Sequence, residues 1–456
     1  MSDRTTPQYL TTLAEFAAGT QLNAISEAAR TRARWVIADS IPVIAAGMQE
    51  PEMKALVAAQ LAGAAPGNVW VIGTGKRAGL FDAALLNGTA GTWLELDEGN
   101  LFAKGHPGIQ VVPAAVALAQ ASGYSGAELV RAVALGYEVS ARISRAAQMR
   151  LAFHPHGTYG VIGAAIAAGV LKGFDAAQMK ELINVAAPTG MATSRQTLLD
   201  GATVRNIFTG HSSHMGLMAV RLVECGFTGE IDSVGNVYGK GVYSEQFDRE
   251  LAVAGLGSDW LIAQSYFKLH PIGRYGHSAV DALEDLLAKV SGGKLDLAQI
   301  ERIEVRAYML AASLAGKNIV SSFGARFSVP FALASILYHG RSGLKSFDDA
   351  AVANREVQAL VQRVDLQEDK SFTARFPMEQ PVTIRIVMRD GSAHEGRCVI
   401  TKGEAAKPHT EAELTGKFFE LGEPVWGQTV TQKLYAGLMN IEGVADFRAF
   451  ADAFSL

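Results

Sequence analysis

PVTIRIVMRDGSAHEGRCVI, residues 381–400, alternates apolar and polar side chains on both sides of Asp390-Gly391. A period of two gives a strand one buried and one wet face, and Asp-Gly is a dipeptide that tight hairpin turns favour. The same alternation returns in IERIEVRAYM, residues 300–309. These stretches predict a small α+β module, with helices around Ser278 to Val290 and Ser328 to Tyr338 covering one face of its sheet.

Outward from this module the pattern changes. From the N-terminus to about Ser265, alanine-rich segments with helical periodicity dominate, including Leu22 to Ala46, Val111 to Ala121 and Ala127 to Ala147. Ser125 precedes GAELVRAVALGYEVSARIS with Glu128 three positions on, a capping box, and Asp175 is placed to cap AAQMKELINVAA. VIGAAIAAGVLKG offers small residues for close helix packing, and the last segment returns to helical character. The expected fold is mainly α with an α+β part. A large all-helical domain spans 1–267, a smaller α+β lid domain 268–406, and residues 407–456 return to the helical domain.

With 456 residues, 49% of them hydrophobic and 19% charged, the chain is long and apolar enough to bury a sizeable core. A net charge of −4 gives no overall attraction to nucleic acid. Cys225 and Cys398 are too few and too far apart for a disulfide framework or a cysteine metal site, so a reducing compartment is expected. The opening MSDRTTPQYLTTLAEF does not read as a secretory signal, and the apolar run Val161 to Leu171 is too short for a membrane span. The expectation is a cytoplasmic protein without membrane or nucleic-acid partners.

Chemistry concentrates in ELDEGNLFAKGHPGIQVVPAAVALA, residues 95–119, where Glu95, Asp97, Glu98, Lys104 and His106 precede an apolar helix. Seven of the ten histidines, His106, His154, His156, His211, His214, His270 and His277, fall between residues 106 and 277, mostly beside glycine or proline. Histidine exchanges protons near neutral pH, although a single buried histidine is more often structural. His211 and His214 share helical spacing, but no third ligand or HExxH pattern accompanies them, so no metal is expected. GTYGVIG, residues 157–163, lacks both the GxGxxG spacing and the Walker Lys-Ser/Thr, and reads as helix packing. Arg205, Lys268 and Arg274 form a candidate carboxylate clamp, because a guanidinium fork matches a carboxylate.

GHPGIQVVPAAVALA, FHPHGTYGVIGAA, CGFTG, FKLHPIGRYGHSAVDAL, ARFSVPFALA and KGEAAKPHTEAEL, in this order, resemble the MmgE/PrpD family along nearly the whole chain. The family includes 2-methylcitrate dehydratases, cis-aconitate decarboxylases and iminodisuccinate epimerases. The resemblance implies a helical domain, a smaller α+β lid, an active site between them, and a homodimer. It maps the acid motif to Glu95 and Asp97, the histidines to His106 and His154, and the later lysine and histidine to Lys268 and His277. Arg205 stands where the family often has lysine, ELDE stands for a DFDD-like run, and Phe331 occupies a frequent tyrosine position.

The resulting expectation is a lyase without a cofactor that acts on a small di- or tricarboxylate, foremost a 2-methylcitrate-like dehydratase. His154 or Asp97 is the candidate base, and His106 the proton donor to the leaving hydroxyl. His277 and Lys268 assist, and Glu95, Lys104, Arg205 and Arg274 bind substrate. Decarboxylation of a cis-aconitate-like acid and epimerisation of an amino-dicarboxylate such as iminodisuccinate are alternatives. A catalytically inactive carboxylate-binding protein is the non-enzymatic one.

Overall fold

The computed structural model describes residues 6–191, 193–241 and 243–456. Its architecture follows from two separate apolar cores. The first gathers buried side chains from Tyr9 to Phe267 and then, after a gap, from Leu414 to Leu456. The second gathers Ile272 to Cys398 together with Leu198. The protein is mainly α, with a large helical part and a smaller α+β part.

In the helical part, local sequence sets where helices start. Ser125 accepts from the Glu128 amide and the Glu128 side chain returns to the Ser125 amide, so Gly126–Ala146 begins with a complete capping box. Asp175 and Gln178 do the same for Ala176–Ala186. The glycine- and alanine-rich helix Gly160–Leu171 is buried all round. Its Gly163 is required by proximity: a Cβ there would stand 2.6 Å from Ser140 Oγ and 2.8 Å from the Val111 side chain. That absence of a side chain lets the helices Gly108–Ser122 and Gly126–Ala146 converge behind the histidine loops.

The α+β part holds a four-stranded sheet in the order Val364–Glu368, Ile300–Ala307, Val382–Met388, Ala393–Cys398. The first pair is parallel, with Ile303 opposite Val364, and the others are antiparallel. The turn at Asp390-Gly391 closes the hairpin, with Gly391 at φ +87°. Ile303, Val305 and Ala307 turn one face inward. Helix His277–Leu287 lies so close on that face that a Cβ at Gly396 would overlap the Ala282 carbonyl. Phe331 is fully buried in helix Val329–His339 beside Phe347, within the second core.

Helix Glu411–Trp426 starts at a Thr410 capping box and packs on helix Glu27–Gly47. There the Lys417 ammonium meets Asp39 Oδ1 at 2.5 Å and the Leu96 carbonyl at 2.6 Å. Leu96 lies inside the acid loop, so the C-terminal segment braces the place where chemistry was expected. No helix among the described residues is long and apolar enough to cross a membrane.

Candidate active site

Three loops meet at the seam between the cores, and their backbones are tied together. Gly99 and Tyr266 exchange amide–carbonyl hydrogen bonds at 3.0 and 2.7 Å. The Asn100 amide reaches the Gly105 carbonyl at 2.8 Å, which folds the acid loop back toward His106. The His154 amide donates to Thr193 and the Thr193 hydroxyl donates to the His154 carbonyl. Glu95 and Lys104 adopt left-handed backbone, φ +53° and +56°, which costs a non-glycine residue of order 1 kcal/mol or more. Such strain persists only where surrounding contacts over-determine it.

Glu95, Asp97 and Glu98 are almost fully buried. Lys268 Nζ bridges Asp97 Oδ1 at 2.9 Å and Glu95 Oε2 at 3.3 Å. Arg205 Nη1 lies 2.6 Å from Glu95 Oε1 as an ion pair, and it directs N–H bonds to the Thr92 carbonyl at 3.2 Å. Two cations thus balance two carboxylates, as buried charges require. Burial alone would raise the Asp97 carboxyl, but His106, Lys268 and Arg205 outweigh it and hold the group well below the usual carboxylate range. Glu98 goes the other way: burial, with Asp97 nearby, pushes it up to about 8 despite hydrogen bonds from the Gly108 amide and the Tyr137 hydroxyl.

His106 Nδ1 lies 2.6 Å from the Glu98 carbonyl, with Asp97 Oδ2 at 3.0 Å beside it. A backbone carbonyl can only accept, so Nδ1 carries the proton and Nε2 is the nitrogen left for a substrate.

His154 differs. Its Nδ1 accepts from the His156 amide at 3.1 Å, while Arg205 Nε approaches its Nε2 at 3.4 Å. Donors face both nitrogens, which opposes an imidazolium. Burial first, then Arg205 and His106, lower His154 well below its ordinary value. A neutral imidazole accepts at one nitrogen only, so the ring satisfies one of these donors at a time and stays uncharged. His156 stands edge-on between the two rings, 4.8 Å from His106 and 4.5 Å from His154. Neither of its buried ring nitrogens has a partner.

A cavity of about 400 Å³ opens over these groups, within the size range of small-molecule sites. Of the residues expected from sequence, Glu95, Lys104, His106, His154, Arg205 and Arg274 line it. Asp97, Lys268 and His277 do not. Asp97 and Lys268 stand behind the lining, and the His277 ring hydrogen-bonds the Ile272 carbonyl at 3.0 Å. The carboxylate clamp also differs from expectation, because its members already have anions. Arg205 is paired with Glu95, Lys268 with Glu95 and Asp97, and Arg274 with Glu404. Arg274 also lies over the Tyr266 ring at 4.2 Å.

Sequence reasoning missed Tyr266 and Arg195, which both line the cavity. Tyr266 immediately precedes a recognised motif, and its ring meets His106 edge-on at 6.2 Å. Arg195, in a stretch without a motif, carries no such signal.

Asp97, His106 and His156 place donor atoms within 4.8 Å of one another, as do His270, Asp281 and Glu284. At the first set a cation would have to share Asp97 with Lys268, which favours a proton-handling reading of these groups. At the second, Asp281 Oδ2 already accepts the Lys402 amide at 2.6 Å. His211 and His214 do not converge, since His211 faces the Thr189 carbonyl and His214 the Phe81 carbonyl.

The MmgE/PrpD N-terminal domain matches residues 11–248 and the MmgE/PrpD C-terminal domain residues 270–438. The chain belongs to the MmgE/PrpD family. Similar proteins include a cis-aconitate decarboxylase of Aspergillus terreus, 26% identical over 387 residues that cover 79% of each chain. A cis-aconitate decarboxylase of Homo sapiens is 23% identical over 378 residues, 80% of this chain and 77% of the human one. MmgE/PrpD membership makes this protein an enzyme of a lyase-type family.

Proposed function

We propose that this protein cleaves a bond next to a carboxylate in a small polycarboxylic acid, and that His106 Nε2 carries the proton. The observation that supports this is the fixing of His106 Nδ1 on the Glu98 carbonyl, with Asp97 beside it and His106 on the cavity wall. Decarboxylation of a cis-aconitate-like acid is the first reading, given the named activity of the relatives. The carbon–carbon bond to one carboxylate breaks, its electron pair delocalises toward the neighbouring unsaturated acid, carbon dioxide leaves, and protonated His106 delivers its Nε2 proton to carbon. The cationic lining of the cavity stabilises the developing negative oxygen. The base role expected for His154 or Asp97 passes to His106, because His154 faces two donors and Asp97 lies behind the lining.

Dehydration of a 2-methylcitrate-like acid is the second reading, favoured by two imidazoles on one wall, since water loss needs both proton removal and proton delivery. The division at residues 268 and 406, the homodimer and a cytoplasmic location belong to the same proposal. Light scattering of the purified protein tests the dimer. NMR in deuterated water with cis-aconitate, 2-methylcitrate and iminodisuccinate tests the chemistry. Carbon dioxide release with one deuterium entering carbon supports the first reading, and water loss the second. Saturable binding with neither turnover nor exchange supports a carboxylate-binding protein.

A further inference from the structure

The cavity has two unlike walls. One carries His106, His154 and the charged groups of the acid loop. The other is built from Leu198, Leu310, Leu314 and Phe327, all at least nine-tenths buried and all part of the second core, with Phe376 packed against them. Phe327 also lies under the Arg205 guanidinium, 5.6 Å from its ring centroid, but Leu198, Leu310 and Leu314 offer an ionised group nothing that repays its lost hydration, so this part of the space suits an uncharged portion of the substrate.

The cations say the same. Arg205 and Arg274 line the cavity but are neutralised by Glu95 and Glu404, and Arg150 meets Glu245 at 3.3 Å. Lys104 donates to the Ser144 and Ala147 carbonyls. Among the described residues no carboxylate pairs with Arg195 or Lys104. Arg195 is half-buried, stands over the Tyr275 ring at 5.5 Å, and its backbone amide donates to the Ala152 carbonyl at 2.9 Å, two residues from His154. The uncompensated positive charge therefore suits one or two carboxylates at the histidine end.

We infer that the substrate is an acid with an apolar arm: carboxylates held at Arg195 and Lys104, and an alkyl substituent of several carbons against Leu198, Leu310, Leu314 and Phe327. This rests on the reading of the cavity as a lyase site and names its substrate class. Leu151, 62% exposed, lines the same cavity, so a longer arm continues over apolar surface toward solvent. Arg195 is then a binding residue for the carboxylate, and the apolar wall selects the arm.

The experiment is a matched series of cis-aconitate and its methyl-, propyl- and hexyl-substituted analogues, read as kcat/KM for carbon dioxide release. Alongside it, calorimetry measures the binding of succinate and the correspondingly alkylated succinates, which do not react. Each buried methylene is expected to strengthen recognition about threefold to fourfold, so the propyl and hexyl members exceed the unsubstituted acid by more than tenfold. Arg195→Gln should weaken every member by a similar factor and leave the increment per methylene intact. Leu310→Asn should compress the series. Turnover of cis-aconitate with equal or worse handling of the alkyl acids overturns this inference and leaves the lyase reading standing. No turnover of any acid, with alkylated succinates still bound more tightly than succinate, overturns the lyase reading and leaves the apolar arm standing.

Discussion

At the residue scale, two neighbouring acids are tuned in opposite directions. Asp97 faces Lys268 and His106 and stays ionised, whereas Glu98 sits beneath the Gly108 amide and the Tyr137 hydroxyl and holds a proton up to about 8. The folded value of Glu98 lies above its ordinary 4.5, so between these values the folded chain keeps a proton that the unfolded chain has released. Its contribution to stability is therefore fully present below about 4.5 and is lost as pH rises toward about 8. Glu98→Gln copies the protonated acid, and its Tm should fall less than that of the parent across this window; an unchanged slope would show that Glu98 is not the titrating group. Asp97→Asn keeps the shape but removes the charge beside His106. It should lower kcat by about a hundredfold or more, with a smaller change in KM. Kinetics with kcat intact would detach Asp97 from proton transfer.

At the element scale, the chain advertises helices and strands where local chemistry is strong. The Ser125–Glu128 box, the Asp175 cap and the Asp390-Gly391 turn were readable because side chains within a few positions make the deciding contacts. What sequence did not disclose are contacts made between distant segments. Lys417 shows nothing unusual in TGKFFE, yet it binds Asp39 and the Leu96 carbonyl across the helical core. Removing it strands a buried carboxylate, so Lys417→Met should destabilise the fold by about 3–5 kcal/mol in denaturant melts. Replacing Asp39 by Leu in the same chain should recover most of that loss. If the single variant melts like the parent, the brace is not structural. Gly396→Ala forces a methyl group into the Ala282 carbonyl, and should cost about 1–3 kcal/mol while leaving the helical part's secondary structure intact by circular dichroism.

At the scale of the whole molecule, the two cores explain why the candidate site was only half legible. His106 and His154 were conspicuous because glycine and proline flank them in loops that end at buried helices. The opposing wall was invisible: Leu198, Leu310, Leu314 and Phe327 look like ordinary core residues, and Arg195 like ordinary surface charge, until the second core packs beside the first. The cations drawn together in sequence, Arg205, Lys268 and Arg274, turn out to be occupied by Glu95, Asp97 and Glu404. Charge counted along a chain is not charge available to a ligand.

The central claim is that His106 Nε2 moves a proton at a carbon next to a carboxylate. It is tested most directly by following cis-aconitate and its propyl-substituted analogue by NMR in deuterated water, with the parent protein and with His106→Asn. The expected result is carbon dioxide release with one deuterium placed on carbon by the parent, and a loss of at least about a hundredfold in the variant while the acid still binds. Equal turnover and equal deuterium incorporation by His106→Asn would contradict it.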